Sequence, residues 1–391
     1  MKNVANQFLY CLLLAFSISC GEKETSAPTP EISADFITDK TVIREGESVQ
    51  FSDFSSGSPT SWVWTFDGGT PATSNGANPV VTYHEAGVYS VTLLASNDEH
   101  EESITRTSLI NVKCAGRYCE PIFEVEKTEG GIYGVDPEFH TFNWYEPKND
   151  SETARAAVVL MGGGRFENLA NLDRLEELAL LLAERGVLVA TATSRIGPRD
   201  TGEEFNCRMI EVQQDALAAI RYFHKEAEAL GIDPDLIFSA GYSSGAIATL
   251  RSAYWQEQDI LDIGAIDVFD EKGGVEGEQG NPGYPTTVAG TICLAGEMYG
   301  TVGFIKNGEP PLFAVCSSHD NEVTCDESTS AGSFPKYGAI ALIDKANSVG
   351  ISPNNYYIFN SSDHRIVVEQ PEAYFEQLMV WMREVISNQS N

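Results

Sequence analysis

Basic residues are scarce in this chain. Its 391 residues include 25 lysines and arginines against 57 aspartates and glutamates, so the formal net charge at pH 7 is −32. A protein of this charge repels phosphate backbones and anionic lipid headgroups. The composition therefore excludes nucleic acid as a partner and gives no charge-driven attachment to a membrane. The length is sufficient for two domains and a large hydrophobic core.

Motifs for metals and nucleotides are also missing. The sequence has no His-Glu-x-x-His, no Cys-x-x-Cys, no Gly-x-Gly-x-x-Gly and no Gly-Lys-Ser/Thr. We therefore expect neither a metal nor an organic cofactor. Any catalysis then rests on the side chains and backbone of the protein itself.

No long hydrophobic run follows the N-terminus. After Lys2, the apolar run of residues 8–18 is too short to span a bilayer but suits a signal peptide. Residues 17–21, Ser-Ile-Ser-Cys-Gly, resemble a bacterial lipobox, although leucine is commoner where Ser17 stands. We expect a signal peptide at residues 1–19, a lipid on Cys20 and a flexible tether at residues 20–30. The lipid would anchor the exported chain to the outer membrane or cell surface. A plain secreted or periplasmic protein is the alternative.

Cysteines are few but even in number. If Cys11 leaves with the signal peptide and Cys20 carries lipid, six of the eight remain. An even number of cysteines in an exported chain favours disulfides, and six allow fifteen pairings. We favour a disulfide between Cys114 and Cys119. The other pairs considered are Cys316 with Cys325 and Cys207 with Cys293.

A Gly-x-Ser-x-Gly motif occupies residues 241–245. It follows an apolar run and precedes small and apolar residues at helical spacing. This order predicts a strand, a sharp turn and a buried helix, with Ser243 exposed at the turn as a nucleophile. An ordinary Gly/Ser turn is the alternative interpretation of the bare motif.

Three successive glycines at residues 162–164 follow the apolar run of residues 156–161. Backbone N–H groups in such a turn point toward developing negative charge. The segment resembles the His-Gly-Gly-Gly loop of lipases and esterases, with Met161 in place of histidine. We assign an oxyanion hole to the N–H groups of Gly163, Gly164 and Ser244. A phosphate-binding turn is the alternative, disfavoured by the missing nucleotide motifs.

An acid and a base follow the serine in the chain. Asp320 lies in the loop after a strand pattern at residues 311–316. This loop resembles the Gly-Thr-x-Asp-x-x-Val segment that carries the catalytic acid in α/β-hydrolases. Glu322 is a weaker candidate for the catalytic acid. The alternative interpretation of Asp320 is a structural residue that caps a turn. His364 is the one of six histidines that follows both Ser243 and Asp320, in the loop after a further strand pattern.

The order Ser, Asp, His is the one used by α/β-hydrolases. Helical patterns at residues 172–185 and 210–230 alternate with strand patterns, which predicts a doubly wound, mostly parallel sheet. A final helix is expected at residues 372–387. Residues 123–391 thus resemble an α/β-hydrolase of the carboxylesterase and carbohydrate-esterase type. The resemblance implies ester hydrolysis through an acyl-enzyme, with Ser243, Asp320 and His364 as the catalytic residues.

The first third of the chain shows a different pattern. Short alternating strands separated by turn residues predict a small all-β sandwich at residues 31–114, followed by a linker at residues 115–122. The Trp62-Val63-Trp64 segment and the Tyr83-His84-Glu85-Ala86-Gly87 segment resemble the signature of the PKD domain, an immunoglobulin-like module. We expect one of the two tryptophans to lie in the core rather than on a binding surface.

These features together predict an exported serine esterase that removes short acyl or feruloyl groups from polysaccharides. A polyester depolymerase and a serine peptidase are alternatives that would use the same three residues. A surface glycan-binding lipoprotein without activity is the non-enzyme alternative. Acyl length, glycan binding by the PKD-like domain, complete disulfide pairing and oligomeric state do not follow from the sequence.

Overall fold

The computed structural model describes residues 29–197, 202–258, 269–329 and 334–389, and for residues 202–206 the backbone alone. The predicted signal peptide, the predicted lipidation site Cys20 and most of the predicted tether lie outside these ranges. The chain divides into two compact units, the first ending at Cys114 and the second beginning at Ala115. Within the described ranges, every helix is too short or too polar to cross a membrane.

The first unit is built from two β-sheets. The alternation of apolar and polar residues along each strand places one face of each sheet in a shared core. One sheet has the strand order β1-β3-β7-β5 and the other the order β2-β9-β8-β4-β6. The strands are β1 Phe36–Thr38, β2 Val42–Arg44, β3 Ser48–Asp53, β4 Ser61–Phe66, β5 Gly69–Thr70, β6 Thr73–Ser74, β7 Val80–Tyr83, β8 Gly87–Ser96 and β9 Glu101–Lys113.

Trp64 lies at the centre of this core. Its side chain is fully buried, packs edge-on against Phe36 and donates its indole N–H to the carbonyl of Gly76 at 2.8 Å. Trp62 is partly buried against the same cluster. The prediction that one tryptophan belongs to the core is therefore confirmed. The carbonyl of Gly76 supplies the hydrogen-bond acceptor that a buried indole N–H usually has.

The second unit contains an eight-stranded mixed sheet. Its order is β10-β11-β13-β12-β14-β15-β17-β20. All neighbouring strands from β13 to β20 are parallel, and β11 pairs antiparallel with both β10 and β13. The eight strands are β10 Val125–Ile132, β11 Thr141–Pro147, β12 Arg155–Met161, β13 Leu188–Ala192, β14 Ile232–Tyr242, β15 Gly290–Leu294, β17 Leu312–Ser317 and β20 Asn355–Phe359. A small separate sheet contains β16 Met298–Tyr299, β18 Glu327–Ser328 and β19 Lys336–Tyr337.

Helices cover both faces of the large sheet. Leu178 and Trp381 belong to the apolar cluster on one face, whereas Val212, Leu250 and Leu342 belong to clusters on the other. This arrangement, with strands buried on both sides, fits the predicted α/β-hydrolase fold. A 3₁₀ turn at Leu172–Leu175 leads into α1 Glu176–Ala183, followed by α2 Gly202–Leu230, α3 Ser244–Tyr254, α4 Ala339–Ser348, α5 Ile366–Glu369 and α6 Glu372–Gln389.

The structure corrects three details of the sequence analysis. The central strand β15 and helix α4 were not predicted, and α2 begins eight residues before the predicted start at residue 210. Residues 233–235, which include Pro234, lie within β14. Strand β12 shifts its pairing register with β14 between Arg155 and Ala157, so Pro234 sits where the ladder is interrupted.

Candidate active site

Ser243 lies at the sharp turn between β14 and α3. Its backbone has φ 55° and ψ −122°, a conformation that a non-glycine residue adopts only under strain. The turn is tight enough that a Cβ at Gly245 would lie 2.2 Å from the carbonyl oxygen of Met161. The Ser243 N–H donates to the carbonyl of Leu294 at 2.9 Å, which ties the turn to the neighbouring strand β15. The predicted strand, turn and helix are therefore present, with the serine between them.

His364 and Asp320 meet Ser243 at the carboxyl ends of β14, β17 and β20. The Nε2 atom of His364 lies 2.8 Å from Ser243 Oγ, and its Nδ1 atom lies 2.7 Å from Asp320 Oδ2. An ionised carboxylate only accepts hydrogen bonds, so Nδ1 donates to Asp320. In the neutral ring, Nε2 then accepts the hydroxyl proton of Ser243. The structure thus brings the three predicted residues together in one hydrogen-bonded chain.

The carboxylate of Asp320 is nearly inaccessible, with its side chain 1% exposed. Burial alone raises the pKa of a carboxyl group. The hydrogen bond from His364 and the backbone N–H groups of Glu322 and Val323 outweigh that effect and leave the pKa of Asp320 below its ordinary value. Asp320 therefore stays ionised at neutral pH and favours a positive charge on His364.

The loops that carry the acid and the base are bonded to each other. Ser317 Oγ donates to the carbonyl of Asp363, and the His319 N–H donates to the carbonyl of Ser361, both at 2.9 Å. A disulfide between Cys316 and Cys325 closes the acid loop. Glu322, the alternative acid, does not contact His364 but pairs with Arg165.

Gly163 passes directly over the nucleophile. A Cβ on this residue would lie 2.8 Å from the Cβ of Ser243 and 2.6 Å from the carbonyl of Tyr242, so only glycine fits. The N–H group of Ser244 opens α3 and has no carbonyl acceptor within the helix. The backbone of Gly163 and that of Ser244 therefore both lie beside Ser243, and their N–H groups remain the predicted donors to an oxyanion.

The N–H group of Gly164 has a partner within the protein. It donates to the side-chain hydroxyl of Ser244 at 2.9 Å. Its role in an oxyanion hole stays a prediction, and that role requires this hydrogen bond to open. The Ser244 side chain holds the glycine loop against the start of α3.

Backbone strain in the glycine loop continues into the two residues that follow the three glycines. Arg165 and Phe166 both have positive φ, of 59° and 66°. Such pairs of left-handed non-glycine residues persist only where surrounding contacts hold them. One such contact is the hydrogen bond from the Gly197 N–H to the carbonyl of Phe166 at 2.8 Å.

A buried polar cluster lies in the same loop region, and the sequence analysis did not predict it. His140 and Asp215 are fully buried, and His140 Nε2 lies 3.0 Å from Asp215 Oδ1. Arg195 contacts both carboxylate oxygens, donating its backbone N–H to one and its Nε–H to the other. Arg195 lies two residues before Gly197, so this cluster fixes the segment that contacts the glycine loop. His140 and Asp215 are 75 positions apart in the sequence, so no local pattern indicates their contact.

Ser243 opens into a cleft of about 290 Å³. Its walls come from the glycine loop, the 3₁₀ turn, the end of β14 and the loop that carries His364. The lining residues include Gly163, Arg165, Arg174, Tyr242, Glu322, His364 and Arg365. Burial raises the pKa of the Tyr242 phenol, so this side chain remains neutral beside the histidine.

The cysteines follow the predicted pattern in part. Cys114 and Cys119 are both disulfide-bonded, and Cys316 pairs with Cys325. The third pair that was considered is not present, since Cys207 and Cys293 are both free thiols in the structure. Burial raises the pKa of the Cys293 thiol to about 12, which makes it unreactive at neutral pH.

Comparison with known families identifies the first unit. Residues 26–112 match the family model of the PKD domain. This match confirms the resemblance seen in the sequence, and the two-sheet structure of the unit agrees with it.

Comparison with solved structures finds a thermophilic esterase from the planctomycete Thermogutta terrifontis. Its propionate-bound form is 16% identical, with a TM-score of 0.45, and the match covers 66% of this chain and 95% of that one. The butyrate-bound form is 16% identical, with a TM-score of 0.44 over 66% and 95% of the two chains. The form phosphonylated by sarin is 15% identical, with a TM-score of 0.47 over 66% and 94%.

Proposed function

We propose that this protein is a serine hydrolase that cleaves carboxylic esters through an acyl-enzyme. The observation that carries the proposal is the continuous hydrogen-bonded chain from Ser243 through His364 to Asp320, with distances of 2.8 Å and 2.7 Å. A serine hydroxyl is a weak nucleophile unless a base removes its proton. Here the base is in contact with the hydroxyl and is itself oriented by a buried carboxylate.

In the acylation step, Ser243 Oγ attacks the carbonyl carbon of the ester as its proton passes to His364 Nε2. The carbonyl oxygen becomes an oxyanion, which accepts hydrogen bonds from the N–H groups of Gly163 and Ser244. The positive end of the α3 dipole lies at the same place. His364 then donates its proton to the leaving alkoxide, the carbon–oxygen bond breaks and the alcohol departs.

In the deacylation step, a water molecule replaces the alcohol. His364 removes a proton from this water, the resulting hydroxide attacks the acyl carbon and the same two N–H groups bind the new oxyanion. The proton returns to Ser243 Oγ as the acid leaves. Asp320 stays ionised throughout and stabilises the imidazolium that forms twice in the cycle.

Short acyl or feruloyl esters on polysaccharides are the substrates we favour. The cleft of about 290 Å³ beside Ser243 is at the small end of ligand pockets, which suits a short acyl group or one aromatic ring. The attached PKD domain supports action on an extended polymer. Polyester cleavage, peptide cleavage and glycan binding without catalysis are the alternatives that experiment distinguishes.

The first test compares a protein lacking residues 1–20, and so without the signal peptide and the expected lipid, with its Ser243→Ala variant on 4-nitrophenyl acetate, butyrate and octanoate. We expect turnover of the acetate and butyrate, and a loss of kcat of at least about 10³-fold in the variant, because no other nucleophile replaces the serine. A preference for octanoate would redirect the substrate assignment to lipids and polyesters. Equal and negligible rates in both proteins would exclude the esterase.

We also propose that the enzyme is exported and anchored by a lipid on Cys20. The disulfide between Cys316 and Cys325 supports an oxidising compartment. Incorporation of an alkyne-labelled fatty acid in a bacterial host should label the wild type and not a Cys20→Ala variant. Labelling of both proteins would place the lipid elsewhere, and labelling of neither would favour a secreted or periplasmic enzyme.

A further inference from the structure

The cleft beside Ser243 carries a charge opposite to that of the whole protein. Its walls include Arg165, Arg174 and Arg365, and their one carboxylate is Glu322. The chain as a whole has a formal net charge of −32. A local excess of arginine in so acidic a protein is the feature that the proposed mechanism does not use, because ester hydrolysis needs no cation beyond the catalytic histidine.

Two of the three arginines already have carboxylate partners. Arg165 contacts Glu322 through both Nε and Nη2 at 3.0 Å. Arg365 lies 3.5 Å from Asp363 and 3.6 Å from Glu369, at distances typical of loose surface pairs. These pairs reduce the charge that either guanidinium offers to a ligand.

Arg174 differs from both. In the described ranges of the chain it forms no ion pair, and it lines the cleft together with Tyr242 and Ser243. It stands in the 3₁₀ turn Leu172–Leu175, which Asn171 caps by accepting the N–H of Asp173 at 3.1 Å. The turn therefore fixes the backbone from which an exposed guanidinium without an ion-pair partner in the described ranges reaches the cleft.

We propose that Arg174, assisted by Arg365, selects esters that carry a carboxylate close to the scissile bond. The inference rests on the proposed esterase function and names its substrate class. A guanidinium recognises a carboxylate through two parallel N–H bonds, which gives both affinity and orientation. The carboxylate belongs either to the acyl part, as in a dicarboxylic half-ester, or to the alcohol part, as in an ester on an acidic sugar.

The negative charge of the whole protein would disfavour an anionic substrate without such a local positive charge. An anionic substrate approaching a protein of net charge −32 meets repulsion unless the cleft has a potential of the opposite sign. A neutral ester needs no such compensation. The arginine-lined cleft therefore gives anionic esters an advantage at the site itself, and added salt should weaken this advantage.

The test uses two pairs of esters matched in size. For the alcohol part, 4-acetoxybenzoate is compared with the neutral 4-acetoxybenzamide. For the acyl part, the mono-4-nitrophenyl ester of adipic acid is compared with 4-nitrophenyl hexanoate. Each kcat/KM is divided by the spontaneous hydrolysis rate of the same ester, and the readout is the ratio of anionic to neutral substrate within a pair.

We expect this ratio to be about tenfold in at least one pair, the value of one charge-assisted contact to a carboxylate. The pair that shows it identifies the part of the substrate that bears the charge. Arg174→Gln should lower the ratio toward one, Arg174→Lys should retain part of it, and Lys225→Gln, which removes a positive charge outside the cleft, should leave it unchanged.

Two results would overturn the inference. Ratios at or below one in both pairs, with the neutral esters hydrolysed, would remove the carboxylate preference and leave the esterase assignment intact. A preference that survives Arg174→Gln would show that another group selects the substrate. If none of the four esters is hydrolysed, the proposed function fails, and the inference fails with it.

Discussion

Ser244 has two contacts with different consequences at the scale of single residues. Its backbone N–H faces the space where an oxyanion would form, while its side-chain hydroxyl accepts the N–H of Gly164 at 2.9 Å. The hydroxyl therefore determines which of the loop's N–H groups remain free. A conservative change at this position separates the two roles, because every residue except proline retains the backbone donor.

Replacing Ser244 with alanine should lower kcat about fivefold with little change in KM. The loss corresponds to one neutral hydrogen bond of about 1 kcal/mol that holds the glycine loop over Ser243. Ser244→Thr retains the hydroxyl and serves as the control. Steady-state kinetics on 4-nitrophenyl acetate measures both. An increase in kcat in the alanine variant would instead mean that the freed Gly164 N–H is the better oxyanion donor.

The Asp320→Asn variant should lose about 10³- to 10⁴-fold in kcat, because an amide does not hold His364 in the tautomer that accepts the serine proton. The carboxylate also affects acid stability. Its folded-state pKa lies below the ordinary value, so its stabilising contribution is present above the unfolded-state pKa and is lost as pH falls through the folded-state pKa.

Urea unfolding at several pH values between about 6 and 3 tests the second effect. The free energy of unfolding of the wild type should decrease more steeply over this range than that of Asp320→Asn. Parallel decreases in the two proteins would contradict the lowered pKa.

Sequence reasoning located the residues with recognisable chemistry. Ser243, Asp320 and His364 each occur in a motif or at a chain position that their chemistry requires, and the structure brings them together. The engaged state of Gly164 was not predictable, because the partner of a backbone N–H depends on the rotamer of a residue 80 positions away. The same reason hid the contact between His140 and Asp215, which no local spacing encodes.

At the scale of elements, the site depends on the pairing of β17 with β20. These parallel strands are in register from Phe313 with Asn355 to Ser317 with Phe359, so their following loops leave the sheet side by side. Asp320 and His364 therefore come together as a result of the pairing between the ends of β17 and β20. The disulfide between Cys316 and Cys325 then limits how far the acid loop moves from its strand.

Removing this disulfide by the double change Cys316→Ala and Cys325→Ala should cost about 2–3 kcal/mol of stability, the loop-closure value for cysteines nine residues apart. The urea midpoint of the esterase activity measures it. Cys293→Ala, which removes a buried sulfur that forms no disulfide, is the matched control. A reducing agent should lower the midpoint of the wild type more than that of the double variant, in which Cys114 and Cys119 are still disulfide-bonded. Equal midpoints for all proteins would show that the loop needs no covalent closure.

The elements themselves were predictable to different degrees. Strands such as β12 and helices such as α6 carry long apolar patterns, and their predicted positions agree with the structure within a few residues. The five-residue strand β15 was missed because Gly290-Thr291-Ile292-Cys293-Leu294 is short and begins with glycine, and its burial comes from both neighbours in the sheet. Tertiary pairing, not local propensity, decides such a segment.

At the scale of the whole molecule, the two units have separate hydrophobic cores. The core of the first unit contains residues up to Val112, and the cores of the second begin with Tyr133 and Tyr145. Each unit buries its own apolar surface and satisfies the condition for folding alone. The proposed hydrolysis of small esters is then assigned to the second unit, which contains Ser243, Asp320 and His364.

A shortened protein that begins at Lys113 and retains both Cys114 and Cys119 should hydrolyse 4-nitrophenyl acetate with kcat and KM within about twofold of the full chain. Activity on an insoluble acetylated polysaccharide should fall more if the PKD domain contacts the polymer. An insoluble or inactive shortened protein would mean that the first unit is required for the fold of the second.

The position of the three site residues also has a consequence for how the active protein arises. Ser243 and His364 are 121 residues apart in the chain and are joined through four neighbouring parallel strands. Parallel pairings over such separations form slowly, because the intervening chain must be closed before the contacts stabilise it. Ser243 and His364 therefore meet only after these long-range pairings have formed, so the proposed activity should return late during refolding and be absent from a partly folded chain.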